Sequence, residues 1–232
     1  MGDSQTAKRA VGIAAAQLVE SGMVVGVGTG STAKYFTEAL AQRVSAEGLV
    51  LRCVPTSRQS RALAEQFGLP MVPLTSATRP DLTIDGADEF DPALNLVKGG
   101  GGALVQEKLV AVSSREMIVI ADESKSVKCL GAFPLPVAVV PFGWETTRER
   151  LKDRFGVAAT LRESPGGHGA FVTDDGLFVL DLRFGQIPDP AQLERELRTV
   201  TGVAEVGLFI AVAVRVLLGE ADGTVREVTR SI

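Results

Sequence analysis

The chain of 232 residues is 45% hydrophobic, enough to fill one large core or two modest ones. Its net charge is −4 and no run of lysines or arginines forms a basic arm, so composition gives no sign of a nucleic-acid partner. No segment has the uninterrupted apolar length that spans a bilayer, and Lys8, Arg9 and Glu20 break up the first twenty residues; the expectation is a cytoplasmic protein with no signal peptide and no membrane partner.

Ala7, Val11, Ala14, Ala15, Leu18 and Val19 recur at helical spacing, and Gly22 follows as a stop. VVGVG then reads as a buried strand, TAKYFTEALAQRV as a helix begun at the hydroxyls of Thr29, Ser31 and Thr32, and LVLRCV as the next strand. SRQSRALAEQF reads as a helix, MVPL as a short strand, DLTID as a strand, GALVQEKLVAV as a helix and MIVIA as a strand. This alternation predicts a mostly parallel sheet covered on both faces. Cys53 and Cys129 lie far apart with no C-x-x-C spacing and read as reduced thiols.

Beyond Asp122 the texture changes. GAFPLPVAVVPFGW is rich in proline and glycine, WETTRERLKDRF and DPAQLERELRTV are helical, and AFVTDDGLFVLDL reads as a hairpin about Asp175-Gly176. Residues 131–204 therefore read as a small α+β unit. The apolar tail VAEVGLFIAVAVRVLLGEADGTVREV fits either that unit or the first sheet.

The order of strand, small-residue turn and helix in VVGVGTGSTAKYF presents backbone N–H groups and a helix N-terminus at a sheet's carboxyl edge, where a phosphate binds without a cationic side chain. Gly28 and Gly30 permit close approach there. An ATP-type P-loop needs a lysine just before the hydroxyls, and Lys34 comes after them. Gly28, Gly30 and Ala33 do satisfy the dinucleotide pattern, but LVLRCV runs into Pro55, Thr56 and Ser57 instead of an acidic residue. A phosphate-bearing small metabolite suits the corner better than either, with a purely structural turn as the plainer alternative.

Asp85 and Asp88 leave the carboxyl end of the DLTID strand across Gly86 and Ala87, near the same rim. Lys98 precedes four glycines, Gly99 to Gly102, whose entropic cost points to close backbone contact, and the following helix carries Glu107. Lys125 sits just past the MIVIAD strand. Each residue alone has a plain reading as a loop cap or a solvated charge. Together they supply a base for a proton α to a carbonyl, a cation for the developing enediolate and carboxylates to move protons between oxygens. No histidine-based metal spacing is present, and His168, the only histidine, lies in the loop SPGGHGA.

GVGTGST, PTS, DGADE, VKGGGGALVQEK, IADESK, FPLPVAVVP, VTDDG and GVAEVGLF occur in order through nearly the whole chain, which in these motifs resembles the ribose-5-phosphate isomerase A family. The resemblance implies an α/β fold: a Rossmann-like, mostly parallel catalytic domain of residues 1–130 and 205–232, the tail returning to it, with residues 131–204 inserted as the small domain. It implies interconversion of D-ribose 5-phosphate and D-ribulose 5-phosphate, in the non-oxidative branch of the pentose phosphate pathway, without metal or organic cofactor.

By the same resemblance Thr29, Gly30, Ser31 and Thr32 form one substrate-binding loop, Asp85, Gly86, Ala87 and Asp88 a second, and Lys98, Gly99, Gly100 and Gly101 a third. Glu107 is the implied base, Asp85, Asp88 and Lys98 its catalytic partners, and Lys125 a further ligand-binding residue. A homodimer or homotetramer is implied. Which loop holds the phosphate stays open, since Lys98 and Lys125 compete with the Thr29 corner. Gly102 stands where many members have alanine, and VTDDG replaces the more usual TDNG. Two rival readings are a non-catalytic sugar-phosphate sensor, which would be expected to carry a fused output module, and an acyl or CoA-handling enzyme with Glu107 as nucleophile.

Overall fold

A computed structural model describes the backbone of residues 2–230 and the side chains from residue 4 onward. Helix α1 (Gly2–Ala16) leads to strand β1 (Val24–Val27), helix α2 (Ser31–Glu47), β2 (Arg52–Pro55), α3 (Arg58–Gln66) and β3 (Leu82–Asp85). Two short strands, β4 (Glu89–Phe90) and β5 (Leu96–Val97), precede α4 (Leu104–Ser113) and β6 (Glu116–Asp122). Then come β7 (Leu135–Val139), α5 (Trp144–Phe155), β8 (Ala158–Leu161), β9 (Phe178–Arg183), α6 (Pro190–Arg198) and β10 (Val203–Val206). The chain closes with β11 (Leu208–Phe209), β12 (Ala213–Gly219) and β13 (Val225–Thr229).

The large sheet has the order β13-β12-β6-β3-β1-β2, parallel from β12 to β2 with β13 antiparallel at one edge. The fold is thus α/β with a mostly parallel sheet, as the alternation of strands and helices predicts. The undecided tail divides: β10 pairs with β7 outside this sheet, whereas β12 joins it, running parallel to β6 from Ala213 to Gly219, and β13 follows at the edge. Both faces are covered, which is why MIVIA is apolar throughout: Ile118 and Ile120 face one core with Val11 and Phe36, while Met117, Val119 and Ala121 face another with Phe90 and Phe209. β1 lies between β2 and β3, so the strand order reverses there, and a crevice opens at the carboxyl ends of β1 and β3.

A second sheet, all antiparallel, has the order β10-β7-β9-β8. Its own core joins Val137, Leu180 and Leu182 to Leu151 of α5 and Leu197 of α6. A three-stranded sheet, β11-β5-β4, has strands of only two residues, too short for any periodicity to announce them.

Two expectations change. MVPL forms only a single bridge, Met71 to Cys53, because Pro70 and Pro73 bring no N–H to a ladder. The turn at Asp175-Gly176 forms, with the Gly176 N–H donating to Thr173 O, but the run before it adds one bridge, Val172 to Phe178. Both edges of β9 are already filled, by β7 and β8. Among the described residues no helix is long and apolar enough to cross a membrane.

Candidate active site

The crevice begins where β1 meets the end of β3. The Gly28 N–H donates to Ile84 O at 2.9 Å, and a Cβ on Gly28 would stand 2.6 Å from Asp85 Cα, so only glycine lets the two strand ends approach this closely. The next N–H, of Thr29, donates to Asp85 Oδ1 at 3.0 Å. The Thr29 hydroxyl turns away from the opening and hydrogen-bonds the hydroxyls of Thr56 and Ser57, each at 2.7 Å. The end of β2, where a dinucleotide site keeps its acidic residue, is therefore spent on bracing this turn. Gly30, at φ 106°, starts α2 with no side chain capping it, which leaves first-turn N–H groups beside Ser31 and Thr32 at the crevice wall.

Lys98 is the electrostatic centre. Its side chain is 3% exposed, and Nζ donates to Gly86 O at 2.6 Å and Glu107 Oε1 at 3.2 Å while standing 3.1 Å from Asp85 Oδ2. Four glycines and the first turn of α4 bring Lys98 and Glu107 together across nine positions of sequence. Glu107 Oε2 is buried without a hydrogen-bond partner among the described residues. Burial, helped by Asp85 and Asp88, outweighs the downward pull of Lys98 and leaves the Glu107 carboxyl raised to about 7. Burial likewise raises Asp85, against the pull of Lys98 and of its backbone donors. Lys98 itself loses to burial but gains more from Asp85 and Glu107, so its ammonium stays charged well above neutrality.

Thr29, Gly30, Ser31, Thr32, Gly86, Ala87, Asp88, Lys98, Gly99, Gly100, Gly101, Glu107 and Lys125 all line one open crevice with a cavity volume of about 170 Å³. Asp85 does not line it. Fully buried behind the wall, it accepts the N–H groups of Thr29 and Gly86 at one oxygen and faces Lys98 with the other, so it holds the turn and the ammonium in place. Asp88 accepts the Gly100 N–H at 2.7 Å. The ring edge of Phe171 packs where a Cβ on Gly102 would stand, so the glycine at that position makes room for an aromatic side chain. His168 is exposed and outside the crevice.

Two residues join the crevice without any signal in the sequence. Lys8 comes from α1, 3.8 Å from Asp122 Oδ2 at the end of β6, and Gln59 comes from α3. On a helix whose apolar stripe is the only pattern, Lys8 is indistinguishable from a solvated lysine; packing of α1 over β6 and β12 decides its position. Among the described residues no group of three or more histidine, cysteine, aspartate or glutamate side chains is arranged to hold a metal ion.

A model of the ribose 5-phosphate isomerase A (phosphoriboisomerase A) family matches residues 52–223. A ribose-5-phosphate isomerase A of Nitrobacter hamburgensis is 50% identical over 221 residues, covering 93% of this chain and 94% of the relative. The solved ribose 5-phosphate isomerase A of Methanocaldococcus jannaschii superposes with a TM-score of 0.90 at 39% identity, covering 96% of this chain and 97% of that one. A D-ribose-5-phosphate isomerase in complex with phospho-erythronic acid superposes at 0.92 with 37% identity and the same coverage.

Proposed function

The chain belongs to the ribose 5-phosphate isomerase A family and interconverts ribose 5-phosphate and ribulose 5-phosphate, and from that premise we propose that Glu107 is the base of the reaction. The observation that carries this is the buried, unpartnered Glu107 Oε2, held beside the Lys98 ammonium at the inner end of the crevice. Glu107 removes the proton on C2 of the open-chain aldose, leaving a cis-enediolate, and returns it to C1 to give the ketose. The Lys98 ammonium offsets the charge that develops on the two oxygens. Asp88, which lines the crevice, moves the oxygen-bound proton, while Asp85 anchors Lys98. A carboxyl poised at about 7 suits a base that takes and gives the same proton near neutral pH.

We propose that the phosphate sits against the Thr29–Thr32 corner, with Lys8 and Lys125 as its cations. Lys98 is already enclosed by two carboxylates and a carbonyl, so little of its charge is free for a dianion. This places the charged end at the first turn of α2 and the reacting carbons toward Glu107, both on one crevice. The relative solved with phospho-erythronic acid supports a ligand of this chemical kind, because that molecule joins a phosphate to a carboxylate whose two coplanar oxygens mimic an enediolate.

We further propose that the reaction needs no metal or organic cofactor, that it serves the non-oxidative pentose phosphate branch in the cytoplasm, and that residues 1–130 with 205–232 and residues 131–204 are the two domains. Distinct cores on the two large sheets support two units, the second core also taking Val97, Leu130, Val206 and Leu208 from the flanking segments, and the two free cysteines suit a reducing compartment. A homodimer, with a homotetramer as the alternative, is our proposal for the assembly; Phe142, 95% exposed, offers an apolar anchor for it.

The test is ribose 5-phosphate labelled with deuterium at C2, followed by NMR in the presence of a strong chelator. Wild-type protein is expected to form ribulose 5-phosphate and release part of the label to water. Glu107→Gln is expected to lose both, with a fall in kcat of about 10³-fold. Wild-type turnover by Glu107→Gln removes the base assignment, and loss of wild-type turnover in chelator removes the metal-free reading.

A further inference from the structure

No residue of 131–204 lines the crevice, yet one of them reaches its wall. Arg162 follows β8, and its Nη1 donates to Gly99 O at 2.7 Å and to Gly100 O at 3.0 Å. The other side of the same guanidinium is held by Asp181 of β9, Nε donating to Oδ2 at 2.9 Å and Nη2 to Oδ1. Each guanidinium nitrogen thus donates at least once, with the fork fixed in plane by a carboxylate.

The Gly99 carbonyl and the Gly100 N–H belong to one peptide group, and in a trans peptide they point in opposite directions. Arg162 takes the carbonyl side. On the other side the N–H donates to Asp88 Oδ2 at 2.7 Å, the only hydrogen bond to that carboxylate among the described residues. A Cβ on Gly100 would lie 2.6 Å from Asp88 Oδ1, so the carboxylate is seated directly against this peptide. A cation on the carbonyl polarises the peptide and strengthens its N–H as a donor.

We propose that Arg162 is a positioning residue for the isomerisation: backed by Asp181, it turns the Gly99–Gly100 peptide so that its N–H fixes the Asp88 carboxylate toward the substrate. This rests on the reading above that Asp88 moves the oxygen-bound proton. It gives the antiparallel unit a part in the chemistry, since the arginine, just past β8, and its supporting carboxylate on β9 both come from that unit while the residue they orient lies on the other side of the glycine loop.

The test is a double-mutant cycle of Arg162→Ala and Asp88→Ala, read as kcat and KM for ribose 5-phosphate with the thermal midpoint followed in parallel. Arg162→Ala is expected to lower kcat by about 10- to 100-fold with KM less affected, the range for a displaced group beside reacting atoms. Arg162→Lys, which keeps the charge but loses the fork, falls between. In the Asp88→Ala background Arg162→Ala is expected to cost nothing further in kcat. If the two losses multiply in full, or if Arg162→Ala lowers only the thermal midpoint, the positioning role is overturned. Wild-type kcat in Asp88→Ala would remove the Asp88 reading itself, and the relay with it. Should Arg162→Ala fail to fold, the same cycle run with Arg162→Lys decides by the same two outcomes.

Discussion

Two lysines are buried beside the ring of Phe209, Lys98 Nζ at 5.7 Å from its centroid and Lys108 Nζ at 5.0 Å. They do opposite work. Burial lowers the pKa of Lys108, and Glu205 only partly opposes it; around Lys98 the carboxylates outweigh burial and raise it. Lys108 donates to Glu205 at 2.7 Å and to Val206 O at 2.6 Å, with Glu194 at 3.8 Å, ties that join α4 to β10 and α6. Every contact there is between protein groups. Lys98 instead sits among Asp85, Glu107 and Asp88, three carboxylates to one cation, and one glutamate oxygen is left without a partner. Lys108 and its carboxylates tie one element to the next, whereas the cluster about Lys98 leaves a carboxylate oxygen unpartnered at a crevice, the mark expected of a ligand site.

The sharpest way to break this comparison is to remove each lysine. Lys98→Ala is expected to lower kcat/KM for ribose 5-phosphate by about 10²-fold or more, since the charge it offsets grows in the transition state. It also changes the pH profile. A base works deprotonated, so wild-type kcat/KM rises with pH through about 7 as Glu107 loses its proton. Lys98 holds that carboxyl down, so in Lys98→Ala the acid limb moves to higher pH; an unmoved limb would mean that the titrating group is elsewhere.

Lys108→Met is expected to leave kcat of the folded protein near wild type while costing about 2 kcal/mol of stability in urea unfolding, because the half-buried Glu205 loses its nearest cation and keeps only Arg198 at 3.8 Å. Replacing Glu205 with leucine in the same chain should recover part of that loss. A kcat deficit as large as that of Lys98→Ala would erase the distinction between strut and catalytic cation. Lys8→Ala has the smallest expected effect, a rise in KM of about tenfold, the worth of one charge-assisted contact to phosphate, with kcat little changed. An unchanged KM would move the phosphate away from α1.

Much of the site is legible because its pieces are local. GVGTGST is strand, turn and helix within a few residues, and the requirement for glycine at Gly28 follows from how near Asp85 comes. DGADE and KGGGG lie at strand ends or beside the helix they feed, and Lys98 and Glu107 are separated by only one loop and one helical turn. Lys8, Gln59 and Arg162 have no such local signature, since each is an ordinary polar residue on its own element. The same holds for the retreat of Asp85 behind the wall, which follows from the two N–H groups and the ammonium that occupy it. β4, β5 and β11 stay silent because a two-residue strand has no period to read.

By itself the sequence determined the α/β class, the crevice-forming turns and most of the residue types that line the crevice, because backbone conformation and apolar periodicity are properties of neighbouring residues. Only the tertiary structure decided which charges share a pocket, which are neutralised within it and which distant side chain steadies them. Those depend on distances across the sheet and between sheets, where a shift of an ångström or two makes or breaks a hydrogen bond and no spacing along the chain records it.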